Sequence, residues 1–78
     1  MAARQIGRYF VELTDFRVGG ARLGVVSFRF ASKVTLKWEE DGRARRELVD
    51  FEREFDTAEE AFAHAVEQVE ARVRNETA

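Results

Sequence analysis

A chain of 78 residues, 45% hydrophobic and 36% charged, has apolar content for one folded core and none for a second, since a domain this small buries only about 60% of the surface its unfolded chain exposes. Its lack of cysteine excludes disulfides and thiolate metal sites, and no apolar run nears the roughly 18 residues of a membrane span, so the expectation is a single α+β domain over residues 1–78 in the cytoplasm. The net charge of -2 hides two opposite halves, seven basic and two acidic groups in residues 1–38 against six basic and thirteen acidic in residues 39–78, which one small fold satisfies across its own sheet.

Strands are predicted first, over about 8–18, 24–31, 33–40 and 43–55. Tyr9 to Val18 is rich in aromatic and β-branched residues, and Gly19-Gly20-Ala21-Arg22-Leu23-Gly24 reads as its exit loop. Apolar residues then hold even positions: Val26, Phe28, Phe30, Val34, Leu36 and Trp38, interrupted by Ser32. A continuous strand here would run about 50 Å at about 3.3 Å per residue, against a radius of gyration of about 11–12 Å for a compact domain of this length. The chain must therefore bend or break at Ala31-Ser32-Lys33, as a bulge in one strand or a turn between two.

Asp41-Gly42 follows, the strongest hairpin signal, because both central residues of a type I′ turn need positive φ. A two-residue loop there pairs residues whose numbers sum to 83, setting Lys33 opposite Asp50, Val34 opposite Val49, Arg29 opposite Glu54 and Phe28 opposite Phe55. It also sets Lys37 against Arg46 and Leu36 against Glu47, but a slip of one residue would invert every side chain.

The last element is an amphipathic helix over 57–74. Ala58, Ala61, Phe62, Ala65, Val66, Val69 and Val73 recur at intervals of three and four, giving one apolar stripe, with His64 on the polar side. Thr57 followed by Glu60 forms a capping box. The whole is an antiparallel sheet of three to four strands with one helix on one face.

Catalytic and metal motifs are not found. His64 is the single histidine and lacks a sequence partner, Ser27 and Ser32 lie in no nucleophile turn, and the glycines at 19, 20 and 24 open no phosphate-binding helix. Asp50, Glu52, Glu54 and Asp56 would line one face of a straight strand about 6–7 Å apart, a solvated ladder next to Lys33 and Arg29. The expectation is a non-catalytic protein without cofactor or metal.

Nine aromatic residues in so short a chain are the informative surplus. One helix covers one face of a sheet, yet the first strand carries Tyr9, Val11 and Leu13 on one side and Phe10 and Phe16 on the other. The leading expectation is a protein-interaction or assembly module, self-associating or binding another protein through Tyr9, Phe10, Phe16 and Trp38. The alternative is a nucleic-acid-binding sheet using Arg8, Arg17, Arg22, Arg29, Lys33 and Lys37 for phosphates. In element order the chain resembles the single-stranded DNA-binding domains of Whirly and transcriptional-coactivator proteins and the arm domains of phage integrases. Eleven arginines against two lysines, with frequent alanine, valine and glutamate, point to a GC-rich coding sequence and a bacterial or phage origin.

Overall fold

The computed structural model describes residues 2–14, 17–22 and 25–77, with side chains for residues 2–14 and 29–77. It is an α+β fold: β1 (Ala3–Ile6), β2 (Tyr9–Leu13), β3 (Arg17–Arg22), β4 (Val25–Glu40) and β5 (Arg43–Phe55) build one antiparallel sheet, and α1 (Ala58–Thr77) packs on one face of it.

β4 is the backbone of the sheet. Along one side it pairs with β2 and then β3, along the other with β5, and β1 lies outside β2. The predicted exit loop is corrected here: Arg17–Arg22, with Gly19 and Gly20 inside it, is a strand pairing with the first part of β4. Glycine's low strand propensity yields because that stretch of β4 offers a ladder partner. β2 and β3 meet β4 in one register, since Leu13 faces Val34 and, four residues after Leu13 and four before Val34, Arg17 faces Phe30. Thr14 continues the ladder by donating its N–H to the Lys33 carbonyl at 3.0 Å.

The expected bend at Ala31-Ser32-Lys33 proves to be an irregularity within one strand, carried by its partner. Pairing sums to 83 from Glu40/Arg43 to Lys33/Asp50, then resumes at Ala31/Glu54 and Phe30/Phe55. One residue of β4 therefore opposes Phe51, Glu52 and Arg53, two more than regular pairing needs. Glu52 takes φ 56°, and its N–H donates to Asp50 Oδ1 at 2.8 Å. The pairings expected for Arg29/Glu54 and Phe28/Phe55 are thereby displaced two positions, to Ala31 and Phe30. A shift of two preserves the alternation of faces, so the pattern alone could not reveal it. The strand also stays long because the molecule is elongated, 52 × 24 × 18 Å with a radius of gyration of 14.5 Å, beyond the compact expectation.

The core lies between α1 and the sheet. Tyr9, Val11, Val34 and Leu36 from the strands are fully buried against Ala61, Ala65, Val66 and Val69 of the helix, with Ile6 at its edge. The alanines let helix and sheet approach closely. At the helix start Thr57 Oγ1 accepts the Glu60 N–H at 3.1 Å, and its hydroxyl donates to Glu60 Oε1, the first half of the predicted capping box with a changed second half. The helix runs three residues past the predicted Arg74, where Thr77 Oγ1 donates to the Val73 and Arg74 carbonyls. No helix among the described residues is long and apolar enough to cross a membrane.

Candidate functional site

Covered and uncovered regions of the sheet divide the candidate residues between them. Tyr9, expected at an interaction surface, is instead fully buried under α1, because the odd residues of β2 face the helix. Its hydroxyl donates to the Glu76 carboxylate, 2.8 Å from Oε2, and accepts from Arg8 Nη2 at 3.0 Å. The Arg8 and Arg72 guanidinium groups lie 5.1 and 5.2 Å from its ring centroid, and Trp38 meets the ring edge-on at 5.3 Å. Arg72 also reaches Glu47 Oε2 at 3.1 Å. The Tyr9 hydroxyl, and after it the charges of Arg8 and Arg72, hold the Glu76 carboxyl below the usual carboxylate range. This cluster fastens the last turn of the helix to the sheet.

At the other end of the helix, Ser32 and His64 form a pair the sequence reading missed. Ser32 Oγ, completely buried, donates to the Ala61 carbonyl at 3.1 Å and lies 2.9 Å from His64 Nδ1. His64 is half-buried rather than exposed as expected, its ring 5.8 Å from Phe51 and 5.2 Å from Phe55. The even phase of β4 places Ser32 under the helix, and β5 brings the two phenylalanines alongside. A nucleophile needs an open approach, and this hydroxyl has none; the pair docks the helix.

The opposite face of the sheet carries no second layer among the described residues. Phe10 is 38% exposed and Leu48 57% exposed there, Phe10 opposite Lys37 and Leu48 opposite Thr35, two residues apart along β4. Phe16 lies outside the described residues, and Trp38 is half-buried, its indole N–H directed to Glu40. Leu48 has no aromatic or glycine signal and was not among the predicted contacts. Its even position on β5, beside the buried-side Val49, is the pattern that marks it.

Of the cations proposed for phosphate binding, the described ones are engaged within the fold. Lys37 Nζ lies 2.6 Å from Glu12, and Arg29 bonds Asp56 at 2.9 Å and also reaches Glu54. Arg8 holds Tyr9 and Glu76, and Lys33 faces Asp50. The side chains of Arg17 and Arg22 lie outside the described residues. Where the β1–β2 turn stops short of the β4–β5 hairpin, an open notch of about 720 Å³ is lined by the basic Arg8, Lys37, Arg45 and Arg46, the acidic Glu39, and Trp38, Gln5 and Ala44. Neither Arg45 nor Arg46 makes an ion pair among the described residues.

The acidic ladder is not straight. The turn of backbone at Glu52 separates Asp50 from Glu54, and Arg29 gathers Glu54 and Asp56, leaving a shallow depression of mixed charge. No protein-family model, curated protein or solved structure matches this chain.

Proposed function

We propose that the chain is a small, non-catalytic, self-associating protein-interaction module working in the cytoplasm. The observation that supports this is the one-sided cover: α1 buries one face of the sheet, while the other exposes Phe10 and Leu48 and the outer side of β5 stays unpaired among the described residues. Sedimentation velocity from low to high micromolar concentration tests it. A concentration-dependent shift from monomer to a larger species is expected; a strict monomer throughout would count against self-association.

A second reading, binding of single-stranded nucleic acid, draws on the notch at Trp38, where Arg45 and Arg46 share the lining with Glu39 but make no ion pair among the described residues. Phosphates would meet the arginines and a base would stack on the indole. Titration of a labelled oligonucleotide at low salt decides it, since binding of this kind must weaken steeply as salt rises.

A further inference from the structure

The self-association reading leaves the contact open, and four features of β5 name one. The first is backbone direction. Asp41 and Gly42 both take positive φ, 52° and 75°, the two-residue I′ turn in which the flanking Glu40 and Arg43 bond each other. Because hydrogen-bonding direction alternates along an antiparallel strand, the N–H and C=O groups of Arg46, Leu48 and Asp50 point away from β4, toward the free edge.

The second is the limit of that edge. Asp50 Oδ1 accepts the Glu52 N–H, and the positive φ of Glu52 turns the strand out of line, so the straight edge ends at Asp50. The third is an exposed apolar side chain at the middle of the edge. Exposed edges are commonly blunted by proline, by charged side chains, lysine above all, or by a bulge; residues 44–50 contain no proline and no lysine, their charges are Arg45, Arg46, Glu47 and Asp50, and Leu48 at 57% exposure is the most exposed large apolar side chain described.

The fourth is charge. Arg46 sits across the ladder from Lys37, a like charge already paired with Glu12, and makes no ion pair of its own among the described residues. Arg46 and Asp50 stand symmetrically about Leu48.

We propose that two copies of this chain join edge to edge through β5, antiparallel about a two-fold axis at Leu48, forming one continuous sheet with both helices on the same side. Leu48 then faces its own copy, and each Arg46 faces Asp50 of the other copy, so opposite charges meet twice. Moving the axis one residue to Glu47 sets that carboxylate against its own copy. Moving it to Val49 leaves only three residues of straight edge. The arrangement rests on the self-association reading and specifies its contact.

Sedimentation equilibrium of the full chain and four variants tests it, with circular dichroism confirming the fold. Arg46→Asp and Asp50→Arg should each weaken the dimer at least about tenfold by placing like charges opposite one another twice. The double variant R46D/D50R, which restores opposite charges, should recover it. Leu48→Pro removes an outward N–H that the monomer's ladder does not use and should abolish the dimer. If Leu48→Pro fails to fold, the charge-exchange set carries the decision alone. A dimer unchanged in both single charge variants would overturn the β5 contact and leave self-association standing; a wild-type chain that stays monomeric overturns both.

Discussion

The two faces of the sheet are made by alternate residues of the same strands, and they are stabilised by different physics. Along β4, Ser32, Val34 and Leu36 point under the helix and are fully buried, whereas Lys33, Thr35 and Lys37 point to the open side. On β5 the half-buried Val49 and the exposed Leu48 are adjacent in sequence. Identity at a position is therefore a weaker guide than phase: of two leucines, Leu36 is fully buried and Leu48 is 57% exposed. Truncation should separate them. Leu36→Ala removes apolar volume from a closed site and is expected to cost about 3 kcal/mol in denaturant unfolding, a large share of the stability of so small a domain. A loss below about 1 kcal/mol would mean that the covered face is loosely packed and the contrast false.

Two glycines sharpen the same contrast for the backbone. Gly7 and Gly42 both adopt positive φ, 56° and 75°, so alanine strains either turn by roughly 1 kcal/mol. A Cβ at Gly7 would also stand 3.1 Å from both methyl carbons of Val73 on the helix, whereas one at Gly42 meets open space. Gly7→Ala should therefore destabilise by about 2 kcal/mol and Gly42→Ala by about half that. Equal losses would show that the β1–β2 turn is not held against the helix.

Tyr9→Phe probes the polar end of the covered side. Removing the hydroxyl strips Glu76 and Arg8 of a partner, but both remain within reach of water, so the expected loss at neutral pH is about 1 kcal/mol. The Glu76 carboxyl is held below its ordinary 4.5, first by this hydroxyl. A depressed carboxyl stabilises the fold above its unfolded value and loses that contribution as pH falls through the folded one. The stability difference between wild type and Tyr9→Phe should thus be full above pH 4.5 and shrink below it. A difference constant down to pH 3 would remove Glu76 from the account.

What was legible in the sequence follows from which interactions are local. The helix was readable because its stripe at 58, 61, 62, 65, 66, 69 and 73 repeats within one segment, and the Asp41-Gly42 hairpin because its turn chemistry is written in two residues. The displacement at Phe51–Arg53 was hidden, since a shift of two residues preserves every face. Helix residues past Arg74 were hidden too, because Tyr9 and Arg8, distant in sequence, hold Glu76 in place. The Ser32–His64 pair spans 32 residues and has no motif. Tyr9 was misassigned for a related reason: aromatic surplus shows that rings must be covered but not which ones, and the buried phase of β2 claimed this one.

The smallest effect is the most telling for the uncovered side. Leu48→Ala should change monomer stability by no more than about 0.5 kcal/mol, as surface truncations usually do, because the side chain is 57% exposed and lies outside the core. Measured at low micromolar concentration, its unfolding midpoint should match that of wild type. At high concentration the two should part, since wild type gains apparent stability from any association of the folded state and the variant gains less. A concentration-independent gap of the size expected for Leu36→Ala would place Leu48 in the monomer's own core and remove it from the proposed contact.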